Sequence, residues 1–429
     1  MSNRTSSAAP LMSERRVSLI GALLTAIGPV SMALYTPAMP ELARAFGSSE
    51  SVIKLTLTLY FGGFAVAQLI AGPLSDALGR RRVTIAFMTI YCIASIVALA
   101  SPTVHVLMFA RFAQGVGASA GIAISRALVR DLFTDERSSR IMNLIGIILA
   151  LGPAFAPTLG GFMLVFFGWR SIFVVMVLFG LVVIGVTIIA MRETVVPDRR
   201  RLNLKALGKV YVMLLGHRHF VSTSMVMAGA IGALYAQATF LPFILMDRVG
   251  LTPGQFGLGM LMQSGCFFAG SLVVRGLMSR FGAYRLVPVG LLFIAAGSIG
   301  TTTLLFWPPS FLHVMVPVAI YAFGIAFVMP AMSTAGLAPF GRDAGAAASM
   351  MGFLQMGSGL VVGSLGALFG DAVIAMGILI PLMGVVACIS YAAYRRTPHV
   401  GEVEPRHDVV SGPPVGQSML PSAEQSNAG

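Results

Sequence analysis

Residues 51–82 read SVIKLTLTLYFGGFAVAQLIAGPLSDALGRRR, an apolar run that closes on a turn and three arginines. Before Asp76 it carries one charge, Lys54. The hydrocarbon core of a bilayer takes about 20 apolar residues per helix. A charge at its centre costs roughly 3 kcal/mol on insertion scales. The stretch therefore reads as a spanning helix whose end is held at one membrane face by Arg80, Arg81 and Arg82.

The same pattern recurs along the chain. Further apolar runs lie near 17–37, 83–101, 105–128, 140–165, 170–191, 218–246, 255–275, 286–306, 311–335, 345–369 and 372–394, so the sequence predicts twelve spans. The runs are continuous rather than alternating, which excludes a closed barrel and predicts an all-α integral membrane protein. Only 10% of the residues are charged and 56% are hydrophobic, against about 25% charged in soluble domains. All 16 acidic residues fall in tails, polar breaks or run ends, and of the 29 basic residues only Lys54, Arg111 and Arg126 lie inside runs.

The net charge of +13 is a matter of topology. With alternating spans, Arg80–Arg82, Arg130, Arg137, Arg140, Arg275, Arg280, Arg285 and the basic 192–218 segment share one face, while Arg44, Arg170 and Arg248 lie on the other. The positive-inside rule makes the first face cytoplasmic, with both termini there, and leaves no basic patch for nucleic acid. The first run is too long for a signal peptide core and reads as an uncleaved span. Cys92, Cys266 and Cys388 are isolated in separate runs and read as packing residues.

The longest polar break divides the chain. The reading is a tail at 1–16, a six-helix bundle at 17–191, a linker at 192–217, a second bundle at 218–397 and a disordered polar tail at 398–429. Leucines among Arg and Lys make the linker either a basic amphipathic surface helix or a plain tether. A weak repeat relates the halves: Leu74, Gly79 and Arg82 match Leu277, Gly282 and Arg285 at an offset of 203. Parallel repeats of six spans, with substrate bound between them near the midplane, are one transporter architecture.

The turn Gly72-Pro73-Leu74-Ser75-Asp76-Ala77-Leu78-Gly79-Arg80-Arg81-Arg82 resembles the loop 2–3 signature of the major facilitator superfamily. Arg111-Phe112-Ala113-Gln114-Gly115 resembles that family's span 4 arginine motif. Gly152-Pro153 with Pro157, Gly160 and Gly161 resembles its exporter motif in span 5. Together with Gly168-Trp169-Arg170 and the Ala346–Gln355 stretch, these look like the bacterial Bcr/CflA-type drug-resistance transporters. The resemblance implies a multidrug exporter in the bacterial inner membrane that exchanges small amphipathic compounds for protons. It also implies a gating charge cluster formed by Gly72, Asp76, Gly79, Arg80, Arg130 and Asp131.

One position departs from that pattern. Ala33 stands in span 1 where relatives carry an acidic residue, and no other mid-run carboxylate replaces it. The alternative reading is therefore a proton-independent or symport-type transporter of an anionic or polar metabolite. Arg111 then either supplies positive potential to the cavity or ties span 4 to span 1 carbonyls, with Gln114 on the same face. The expected cavity wall is Ser31, Tyr35, Arg111, Gln114, Tyr235, Gln237, Phe240, Gln263, Phe353 and Gln355. Span 5 is expected to pack on span 11 through Gly359, Gly363, Gly366 and Gly370. Glu41, Asp247 and Asp371 are expected to be solvated.

An enzyme is not expected. The six histidines sit at run ends or in tails, so they build neither a metal site nor an acid–base site. No glycine-rich loop with a lysine is present to hold ATP, and no cofactor is expected.

Overall fold

The twelve predicted spans need partners for every backbone N–H and C=O, and in lipid a helix supplies them internally. The computed structural model describes residues 11–133, 135–198 and 203–397. Residues 1–10 of the predicted N-terminal tail, the predicted tail at 398–429 and residues 199–202 of the linker lie outside the described residues. The helices are α1 (Glu14–Tyr35), α2 (Met39–Ala45), α3 (Glu50–Leu78), α4 (Arg80–Leu99), α5 (Val104–Leu132), α6 (Asp135–Phe167) and α7 (Arg170–Ala190). They continue with α8 (Leu204–Gly216), α9 (Arg218–Pro242), α10 (Pro253–Phe281), α11 (Ala283–Thr302), α12 (Phe311–Leu337), α13 (Ala344–Leu368) and α14 (Ala372–Arg395). Among the described residues there is no strand, and eleven helices are long and apolar enough to cross a membrane. α6, at 33 residues, takes the place of the fifth predicted span.

The repeat glimpsed in the sequence governs the architecture. α10 begins and ends 203 residues after α3, and α11 begins and ends 203 residues after α4. The caps repeat as well: Ser49 Oγ accepts from Val52 N–H, and Thr252 Oγ1 accepts from Gln255 N–H. Between the paired helices sit Gly79 (φ 100°) and Gly282 (φ 77°), a backbone conformation that side chains resist. The glycine match was therefore a matching turn.

Each half packs within itself, α3 on α5 and α4 on α7 in the first, α11 on α12 and α9 on α14 in the second. Two seams join the halves: α13 lies along α3, and α10 along α6. This corrects the expected pairing of spans 5 and 11. Gly363 of α13 faces the Thr58 side chain of α3 instead. The α6–α10 seam explains why small residues are needed there. A Cβ on Gly161 would collide with the Pro253 carbonyl, and one on Gly257 would lie 2.7 Å from the Pro157 carbonyl. Thr158 Oγ1 closes the seam by donating to the Gly257 carbonyl at 2.9 Å.

The near face is the one where α1 begins and α14 ends; the far face is opposite. The linker forms a helix, α8, capped by Asn203 Oδ1 on Ala206 N–H. Tyr211 ties it to α3 by donating to the Leu69 carbonyl at 2.5 Å, and burial pushes that hydroxyl up to about 12. Lys205 and Lys209 are exposed on α8, as are Leu204, Val212 and Leu215.

Candidate functional site

The first half encloses a polar core built from four helices. Arg111 of α5 is fully buried, with its guanidinium carbon 4.2 Å from the Tyr35 ring centroid of α1 and 4.5 Å from that of Tyr60 on α3. Its Nη1 donates to Gln114 Oε1 at 2.5 Å, while Nε and Nη2 have no hydrogen-bond partner among the described residues. A desolvated cation over an aromatic face is worth about 2 kcal/mol, so the two rings stand in for a counter-ion. Gln114 Nε2 passes the network on to Ser95 Oγ of α4 at 2.6 Å. Tyr91 Oη and Ser31 Oγ lie 2.5 Å apart, Tyr60 Oη donates to the Gly28 carbonyl at 2.9 Å, and Tyr35 Oη pairs with Thr56 Oγ1 at 2.6 Å.

This arrangement differs from both sequence expectations for Arg111. The guanidinium makes no hydrogen bond to a span 1 carbonyl among the described residues, and it faces rings rather than an open cavity. Ser31, Tyr35, Arg111 and Gln114 are all 0% exposed, so in this conformation they form a packed core and not a cavity wall. Ala33 is 5% exposed, and no Asp or Glu among the described residues is buried. Sequence reasoning missed Tyr60, Tyr91 and Ser95. Their only signal is a hydroxyl in an otherwise apolar run, which does not say which helix it meets.

The second half has a different polar centre. Gln263 Nε2 of α10 donates to Gln237 Oε1 of α9 at 3.0 Å, and Gln237 Nε2 is buried without a partner among the described residues. Gln263 occupies the position 203 residues after Tyr60 in the matched helices. Phe240 is fully buried against Gly366. Tyr235, Phe353 and Gln355 keep partial exposure, and the Tyr235 ring meets Phe61 of the first half at 5.3 Å. Of the ten predicted wall residues, these three face accessible space.

The charge cluster forms at the near face. Arg80, 3% exposed, pairs through Nη1 with Asp76 and through Nε with Asp131 at 3.1 Å. Its Nη1 also donates to Ser75 Oγ at 2.6 Å. Gly79 supplies the turn before it, Gly72 faces Ser349 of α13 across the seam, and Arg130 is exposed beside the cluster. Glu193, read from sequence only as linker, belongs here. Its carboxylate accepts from the N–H groups of Arg80 (2.6 Å) and Arg81 (3.2 Å), capping α4. Thr194 Oγ1 donates to Asp131 at 3.0 Å.

The exporter-motif residues lie in α6. Gly152 faces Val30 of α1, Gly160 faces the Leu34 carbonyl, and Pro157 and Gly161 form the seam with α10. The Pro153 side chain lies outside the described residues. At the far face, two of the three acids expected to be solvated have partners. Glu41 accepts from Trp169 N–H at 3.3 Å, and Asp371 caps α14 while accepting from Arg248 Nη2 at 2.7 Å. Asp247 is exposed.

The chain matches the Major Facilitator Superfamily over residues 21–367. It is 29% identical to the uncharacterized MFS-type transporter YdgK of Bacillus subtilis, across 86% of this chain and 92% of that protein. It is 28% identical to multidrug resistance protein D of Escherichia coli (86% and 93%) and 26% to the bicyclomycin resistance protein homolog of Haemophilus influenzae (80% and 86%). The crystal structure of a D-xylose–proton symporter superposes with a TM-score of 0.70 at 14% identity, over 90% of this chain and 98% of that one, a likeness of fold.

Proposed function

The chain belongs to the major facilitator superfamily, and on that premise we propose that it exports small amphipathic organic molecules, antibiotics among them, by alternating access. It is a multi-pass membrane transporter and not an enzyme. The reading places it in the bacterial inner membrane with the near face cytoplasmic, in keeping with the basic residues gathered there. The observation that carries it is the pair of seams: the two halves meet along α3–α13 and α6–α10, and the partly exposed Tyr235 meets Phe61 across them. A mostly apolar space with few polar groups suits drug-sized compounds. Gln263 and the buried Gln237 beside it supply hydrogen bonds when the halves part. The resistance proteins among its relatives support the same direction of transport.

Proton antiport is the coupling we infer, with the Asp76–Arg80–Asp131 cluster forming and breaking as the near face closes and opens. Such a switch needs only a few kcal/mol of difference between states. The second reading, proton-independent or symport-type transport of an anionic or polar metabolite, draws on Ala33 and on a buried guanidinium without a carboxylate. The test has two stages. A resistance panel in a strain stripped of its own pumps identifies a substrate. Proteoliposomes then measure its movement with and without an imposed pH gradient. Antiport predicts that substrate moves against an imposed proton flow; substrate movement with the proton flow, or equal rates with and without the gradient, favours the second reading.

A further inference from the structure

The far face contains a second buried cation. Lys54, near the start of α3, is 0% exposed. Its Nζ donates to the Gly370 carbonyl of the other half at 3.3 Å, lies 3.4 Å from Glu50 Oε2, and sits 5.4 Å from the Phe243 ring centroid. Gly370 and Phe243 belong to the second half, so closure at this face seals an ammonium of the first half beneath the second. The surrounding charged groups are Glu50 on its own helix and Asp371 and Arg248 from the second half, with Asp247 adjoining Glu50 and Arg44 adjoining Asp247.

A buried ion pair that an apolar side chain could replace is weak evidence for stability, because desolvation offsets the Coulomb attraction. The sign of that balance matters for a surface that must reopen. When the halves part at the far face, Lys54 loses one carbonyl and one ring and regains full hydration. An apolar side chain of the same length would instead be driven from water back into the closed contact. We propose that Lys54 is the gate-opening residue of the transport cycle. It is a positioning charge that keeps the closed far face only marginally favoured, so that the face can release substrate. This rests on the alternating-access reading above and names a residue that the reading does not use.

The test is a distance measurement. Spin labels on Ala45→Cys and Pro308→Cys, both exposed at the far face on opposite halves, report its opening in nanodiscs. Cys92, Cys266 and Cys388 are replaced by serine beforehand. The parent protein is expected to show a short and a long distance. Lys54→Met and Lys54→Gln are expected to cut the long-distance population at least five-fold, and Lys54→Arg to preserve it. The glutamine variant serves where the methionine variant fails to reach the membrane. A long-distance population that is unchanged or larger in the neutral variants overturns the proposal and makes Lys54 a latch or a bystander. A single distance in the parent protein under all conditions instead sinks the alternating-access reading, and the proposal with it.

Discussion

The two halves share a backbone and differ at its centre. At matched positions of α3 and α10, the first half places Tyr60 and the second Gln263. Tyr60 helps enclose a fully buried guanidinium, whereas Gln263 makes a neutral amide pair with Gln237. A permanent cation without a carboxylate partner needs rings and dipoles from several helices, so the first core is rigid and interlocked. The amide pair engages only two helices and leaves a donor unspent. The difference suggests a division of labour, with one half as scaffold and the other as the adaptable face toward cargo.

Six substitutions test that contrast. The largest effect is expected from Arg111→Ala, which empties a space between two rings; loss of about 3–5 kcal/mol is typical for such truncations. It should lower the thermal unfolding midpoint of the purified protein sharply and abolish transport. Arg111→Met should recover most of that stability, since shape is restored and desolvation removed. Normal transport by the methionine variant would show that the guanidinium serves folding alone. Next comes Tyr60→Gln, which installs the second half's residue in the first. With one of two ring faces gone, about 1–2 kcal/mol should be lost by thermal melting.

The amide pair should matter less for stability. A double-mutant cycle of Gln237→Leu and Gln263→Leu is expected to give a coupling near 1 kcal/mol, in the range of interhelical hydrogen bonds in membranes. The same variants should alter the order of preference among substrates in a resistance panel. An unchanged order would remove these residues from the cargo site. Glu193→Gln is expected to have the smallest effect, about 0.5–1 kcal/mol from a weakened helix cap. Hydrogen exchange at the first turn of α4 is the readout, and unaltered protection there would show that the cap contributes nothing.

Much of the architecture was legible in the chain. Charge-free runs marked the spans, and the thin match of Leu74, Gly79 and Arg82 to Leu277, Gly282 and Arg285 marked a repeat that the helix ends follow to the residue. The candidate site was less legible. The sequence puts Arg111 and Gln114 on one face, where they do pair, yet it points to Tyr35 as cavity wall, whereas the Tyr35 ring packs on Arg111. A hydroxyl or ring in an apolar run looks the same whether it faces cargo, lipid or another helix. The seam between spans 5 and 8 was missed for a related reason: a glycine announces a close approach without naming what approaches.

A membrane-spanning helical protein in two related halves follows from the order of residues alone, because burying charge in lipid costs too much to allow any other reading of the apolar runs. It took the packed fold to show which helices face each other, that Arg111 is held between two tyrosines, that Glu193 caps α4, and that Lys54 reaches the opposite half. Those facts depend on rotation about helix axes and on contacts between residues up to hundreds of positions apart, and the period of a single helix carries no information about either.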